Sequence, residues 1–213
     1  NWAIRSIAER VAGKKNKLIT STIEHHAVLH TMEKLAKQGH VVEYLPVDDK
    51  GMTSAEKLSE IVDENTCLVS IMMANNEIGT IQPIKELAEA AHKAGALFHT
   101  DAVQAVGHIP VNVKELGVDM LSLSGHKFHG PKGVGVLYVK KGVLLPGFVL
   151  GGAQEKNKRA GTENVAGIVG MASALEIAVN NLSTTVPQIT EKRDKLIDTI
   201  LTTIPRCRLN GHR

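Results

Sequence analysis

The sequence predicts an α/β layered fold: a mostly parallel sheet flanked by helices. Three observations carry that expectation. Strand-like apolar segments alternate with helix-period segments over most of the chain. One of them, CLVSIMMA (67–74), is almost continuously apolar, as a strand covered on both faces must be. Ionisable and amide residues follow several strands directly, where parallel sheets present groups to ligands.

The elements follow in order. Trp2, Ile4, Ile7, Ala8 and Val11 recur at helical spacing and predict a first helix over 2–15. KLITS (17–21) reads as a strand, and 27–38 as a helix stopped by Gly39. HVVEYLPV (40–47) is the next strand. TSAEKLSEIV (53–62) is a helix capped by Thr53 or Ser54, with Glu56 at capping-box distance from Thr53. After CLVSIMMA, Pro83 opens a helix at its first position, and Gly95 lies beyond its end. ALFHT (96–100), VDMLSLS (118–124) and GVGVLYVK (133–140) are further strands. The stretch 142–164 is Gly-rich and irregular. NVAGIVGMASALEIAVNNL (164–182) is a mostly apolar helix, suited to a core or an interface. TVPQITEKRDKLIDTIL (185–201) is more amphipathic. The expected division is a large domain over 1–185 and the start of a small C-terminal domain over 186–213.

Composition narrows the function. The chain has 213 residues, 43% apolar and 22% charged, with a formal net charge of +3. These values suit a globular domain. The charge is spread along the chain and aromatics make up 3%, so nucleic acid is not an expected partner. No apolar run approaches the roughly 18 residues a membrane span needs, and no membrane partner is expected. Two cysteines, Cys67 and Cys207, offer neither a disulfide framework nor zinc spacing; a reducing, cytoplasmic setting is expected, with both thiols structural. The start at Asn1, inside a helical pattern, and the end at RLNGHR suggest an internal piece of a longer protein.

The polar residues at strand ends point to a cleft. After 17–21 come Glu24, His25 and His26; after 67–74 come Asn75, Asn76 and Glu77. After 96–100 come Asp101 and Gln104, and VDMLSLS itself ends in Ser124, with His126 and Lys127 just beyond. Singly, Asp101 reads best as a helix cap and the two Asn as turn residues. Four such clusters at equivalent strand ends favour a ligand site. Zinc is a weak reading: HExxH is absent, and Lys127 would put a cation between His126 and His129. A phosphate loop at Gly125–Gly130 fails because Pro131 stands where lysine is needed. The inventory is consistent with pyridoxal 5′-phosphate: Lys127 for a Schiff base, Asp101 for the ring nitrogen, Ser124 and His126 for the phosphate, His25 against the ring and Gln104 for the phenolic oxygen.

The segments IEHHAVLH, MMANNEIGTIQPI, HTDAVQAVGHIPVNV, DMLSLSGHKFHGPKGVGVLYV and GGAQEKNKRAGTENVAGIVG occur in this order over about 18–182. Together they resemble the cysteine desulfurases of the NifS and IscS type, within the class V aminotransferase superfamily and its fold-type I large domain. The resemblance implies that Lys127 is the Schiff-base lysine and acid–base residue, Asp101 the partner of the pyridine nitrogen, and Gln104 the contact to the phenolic oxygen. It makes His25 the stacked histidine, which also serves in proton transfer, and Asn76 the residue near the cofactor oxygen and the substrate carboxylate. Ser124 and His126 would be phosphate ligands. Thr162 would reach the phosphate of a neighbouring subunit, hence a homodimer.

The implied reaction turns L-cysteine into L-alanine and leaves sulfur on an enzyme cysteine as persulfide, with sulfur-acceptor or scaffold proteins as partners. The family's persulfide cysteine, carboxylate-binding arginine and N-terminal threonine turn do not map onto these 213 residues. Neither Cys67 nor Cys207 matches the nucleophile, and Lys156 stands where the family commonly has arginine. On this reading the 213 residues alone do not transfer sulfur. Selenocysteine lyase, another class V enzyme and an inert dimerisation scaffold are the competing readings.

Overall fold

The computed structural model describes every residue except Ala12, so the part of the predicted first helix that falls there lies outside the described residues. The elements are α1 (Trp2–Arg10), β1 (Lys17–Ser21), α2 (His26–Lys37), β2 (Val41–Leu45), α3 (Ala55–Ile61), β3 (Thr66–Ser70), α4 (Ile84–Lys93), β4 (Leu97–Asp101), α5 (Val113–Leu116) and β5 (Met120–Ser124). A 3-10 turn (Gly125–Phe128) follows, then β6 (Gly135–Val139), a short turn α6 (Gln154–Asn157), α7 (Val165–Asn180) and α8 (Leu182–Thr203).

The strands form one sheet in the order β2-β1-β3-β4-β5-β6. Every pair is parallel except β5 with β6. Alternating side chains feed two cores. Leu18, Leu68 and Met120 pack with Ile4, Ile7, Val28, Met32 and Leu35 of α1 and α2. Ile19, Val69 and Leu121 pack on the other face with Leu58, Ile84, Leu87, Phe98 and Phe128. β1 and β3 are buried along their whole length. Each fully buried Leu, Ile or Phe here contributes about 1.5–3 kcal/mol, and both faces must be covered because a parallel sheet has no solvated side.

Several details differ from the expectations. Ser54, not Thr53, caps α3 by accepting from Lys57 N at 3.3 Å. Thr53 is buried with its hydroxyl unpaired. Pro83 is the N-cap of α4 rather than its first residue, so its missing N–H falls one position earlier than expected. No helix follows Asp101: the chain turns through 102–109 instead. α5, capped by the Asn112 side chain, was not anticipated, since four residues are too short to show a period. The apolar α7 buries only Gly167 and Met171, leaving Val165, Val169 and Ile177 exposed. α8 is continuous through Pro187 and residue 186. Among the described residues no single helix is long and apolar enough to cross a membrane.

Candidate active site

The order β1-β3-β4-β5 makes the four expected strands immediate neighbours, and because they run parallel their carboxyl ends share one edge. The strand order reverses between β1 and β3, the crevice where open α/β sheets bind ligands. His25 follows β1, Asn75 and Asn76 follow β3, Asp101 ends β4 with Gln104 three residues on, and Ser124, His126 and Lys127 end β5 or follow it.

Each group is held by local chemistry. His25 is the N-cap of α2: its Nδ1 accepts from Ala27 N at 3.1 Å. That bond leaves Nε2 to carry the proton of the neutral ring. Asn75, buried, stitches two loops: its amide donates to Ile23 O at 2.9 Å, while its Oδ1 accepts from Glu77 N and Ile78 N. Asn76 beside it is exposed and lines the same small cavity as Glu24 and His25. The second Asn therefore faces the space while the first builds the loop.

Asp101 is half-buried. Its Oδ1 accepts from Val103 N at 3.0 Å in a turn of the kind Asp favours. The capping expectation thus holds in form, without the helix. Burial pushes its carboxyl above the usual range, while the Val103 N–H and the charges of His25, the Asn1 amino group and Lys127 pull it back. His25 and Lys127, 102 sequence positions apart, therefore act on the same carboxylate. Gln104 is half-buried and lines a cavity with Asn75, Asn76 and His108.

Lys127 sits on the 3-10 turn directly after β5. That turn packs so tightly that a Cβ on Gly130 would lie 2.8 Å from Gly125 O, and one on Gly125 would lie 2.9 Å from Met171 Cγ. Fully buried Phe128 anchors it next to Lys127. His108 Nε2 donates to Lys127 O at 2.9 Å, a support with no signal in the residue pattern. Among the described residues Lys127 makes no ion pair. Ser124 is half-buried and His126 exposed on the same turn. Thr162 stands apart from the others, exposed on a cavity of about 850 Å³ that it shares with Trp2, β6 residues and Ile168.

Two buried groups behind the edge were not anticipated as such. His99 on β4 bridges Ser70 on β3 (2.8 Å) and Ser122 on β5 (2.9 Å). Burial pushes its pKa down to about 3, so it is a neutral strut. Glu24 is buried: Oε1 accepts from Ser21 Oγ at 2.6 Å and from Met72 N at 2.8 Å, while Oε2 has no partner. Burial pushes its pKa up to about 8. Only the burial of β1 and β3 at this end could have signalled either role. Of the thiols, Cys67 is buried, with its pKa pushed up to about 11, and Cys207 is exposed. The structural role expected of Cys207 has no packing behind it.

The chemistry of this donor set fits pyridoxal phosphate. An unpaired amine and a carboxylate in electrostatic reach of each other, an imidazole and amides line one edge of the sheet, with hydroxyl and imidazole donors on the lysine turn.

The comparisons agree with the geometry. The family model for aminotransferase class V matches residues 1–213. "Cysteine desulfurase IscS" of Methanosarcina thermophila is 54% identical over 212 residues, covering 100% of this chain and 52% of that protein. The protein of the same name from Clostridium botulinum strain Hall is 50% identical over 211 residues, covering 99% and 53%. A solved "NifS-like protein" superposes with a TM-score of 0.92 at 47% identity, over 94% of this chain and 56% of that one. A structure titled "SspA in complex with cysteine" gives 0.80 at 42% identity, over 83% and 51%. The chain spans about half the length of the curated relatives it matches. With a family model matching end to end and curated relatives at 50–54% identity, this chain belongs to the class V aminotransferase family, whose members use that cofactor.

Proposed function

We propose that this chain is the catalytic core of a pyridoxal-phosphate-dependent cysteine desulfurase, which converts L-cysteine to L-alanine and passes the sulfur to an enzyme thiol as a persulfide. The observation that carries the reading is the convergence of Lys127, His25 and Asp101 at the shared carboxyl edge of β5, β1 and β4, within a run of four adjacent parallel strands. High identity to proteins named cysteine desulfurase supports it, and a relative solved with cysteine supports the substrate.

Bound here, pyridoxal phosphate supplies an electron sink for the carbanion at the substrate Cα. Lys127 Nζ is the amine that would hold the cofactor and the base that would carry the substrate Cα proton. Asp101 keeps a proton on the ring nitrogen. His25, its ring oriented by the bond from Ala27 N, stacks on the cofactor and has Nε2 left for proton transfer. Gln104 serves the phenolic oxygen, Asn76 the substrate carboxylate, and Ser124 with His126 the phosphate. Thr162, which lies away from this cluster, serves the site of a second copy in a homodimer; the exposed apolar residues of α7 suit such an interface. Neither thiol of this chain is assigned the sulfur, since Cys67 is buried and poorly ionised and Cys207 is remote in sequence from every site residue. The setting is cytoplasmic, and the sulfur goes on to acceptor or scaffold proteins of iron–sulfur assembly.

The test is spectroscopic and uses the intact protein. Pyridoxal phosphate should produce a visible absorbance band that Lys127→Ala abolishes, with turnover of L-cysteine to alanine falling about 10²–10⁴-fold. A band that survives in Lys127→Ala, or no band in the wild type, would leave an inert scaffold as the better reading.

A further inference from the structure

Glu24 is a buried acid of this edge that the proposed chemistry does not use. It is 5% exposed, and its two oxygens are treated unequally. Oε1 takes both available donors, Ser21 Oγ and Met72 N, and buried Oε2 has none. An ionised carboxylate would leave half its charge without water or a donor, at a cost of several kcal/mol; a carboxylic acid leaves only one O–H without an acceptor. The charged and titratable groups around it oppose ionisation or lie out on the surface. Asp101, from the end of β4, adds a like charge. His25 and His26, from the start of α2, and Glu77, from the loop after β3, line the cavity beside it and are exposed.

Its position matters. The bond from Met72 N to Glu24, with that from Asn75 to Ile23 O, ties the loop carrying His25 to the loop carrying Asn76. Asp101, by contrast, is only partly buried and has a backbone donor, with His25 and Lys127 near it. Two carboxyls with such different surroundings divide one charge between them unequally.

We infer that Glu24 works as an uncharged carboxylic acid, a positioning residue that clamps the His25 loop to the Asn76 loop and adds no second buried charge beside Asp101. The inference rests on the proposed cofactor site for its purpose, though not for its protonation. The large upward displacement of the Glu24 pKa by burial agrees with it.

Infrared spectroscopy of the intact, cofactor-free protein reads the acid directly. A protonated-carboxyl band should be present at pH 7, disappear with a midpoint near pH 8, and be missing in Glu24→Gln. Retention of added pyridoxal phosphate then reads the positioning role. Glu24→Gln keeps an acceptor for Ser21 and Met72 and should retain cofactor within about threefold of wild type, whereas Glu24→Ala should lose about tenfold or more. Above pH 8 the wild type should fall behind Glu24→Gln, because an ionised Glu24 must reach for water. A wild-type spectrum identical to that of Glu24→Gln at pH 7 overturns the inference. So does cofactor loss in Glu24→Gln as severe as in Glu24→Ala, since charge would then be what matters. If the infrared band behaves as expected while no variant holds cofactor, the acid is upheld and the cofactor reading fails.

Discussion

The two edges of the sheet treat their charges in opposite ways. At the amino ends, buried Lys17 pairs with Glu43 (3.2 Å) and Asp63 (3.1 Å), and buried Asp119 takes His92 Nε2 (2.7 Å) and Phe98 N (2.9 Å), with Lys140 at 3.7 Å. At the carboxyl ends, Lys127, Asp101 and Glu24 make no ion pair among the described residues, and Glu24 Oε2 is wholly unpartnered. A buried charge left unspent is costly. The fold pairs such groups with opposite charges at one edge and leaves them without charge partners at the other. Similar residue types thus meet different surroundings at the two ends of one sheet.

Substitutions at the two edges should therefore separate folding from chemistry. The largest effect is expected for Asp101→Ala: turnover about 10²–10⁴-fold lower, with the thermal midpoint moved by only a few degrees, as kinetics and calorimetry on the same preparation would tell. Comparable losses in both would mean that the carboxylate is chiefly a turn former.

Next comes the pH dependence of stability. Glu24 titrates near 8 in the folded chain against an ordinary 4.5, so its stabilising contribution is complete below about pH 4.5 and is lost as pH rises towards 8. His99 titrates near 3 against an ordinary 6.5, so its contribution is complete above about pH 6.5 and is lost as pH falls towards 3. Between 4.5 and 6.5 the two slopes cancel, and urea midpoints should form a plateau there, falling on both sides by an amount on the order of a few kcal/mol. Glu24→Gln should remove the alkaline fall and turn the plateau into a rise that continues to about pH 6.5; an unchanged alkaline limb would place the titrating group elsewhere.

The smallest effect sharpens the other side of the contrast. Asp119→Ala should cost about 1–3 kcal/mol in denaturant unfolding, because buried Phe98 N loses its acceptor, yet leave cofactor retention per folded molecule unchanged. Weaker cofactor binding at constant folding would blur the division between the edges.

Much of this was legible in the residues. Full burial of β3 follows from its apolar run, whereas that of β1, KLITS, does not; the cluster at the four strand ends was readable because a parallel sheet sends every carboxyl end the same way. Ser54 over Thr53 was not legible: both are good caps, and the choice depends on which hydroxyl the fold leaves near Lys57 N. The exposure of α7 was not legible either, since an apolar helix looks the same whether or not its own chain covers it. Nor was the strut of His99 between Ser70 and Ser122, which joins three strands distant in sequence.

By itself, the sequence determined the layered fold, the family, and which polar residues stand at the ends of the strands. These depend on local periodicity and on residue type, which a linear chain carries in full. Only the tertiary structure decided which acids are buried with an oxygen left unpartnered and which histidine braces the turn after β5. Those outcomes depend on how much water each group loses and which donors reach it, and both are set by neighbours that the chain brings together only on folding.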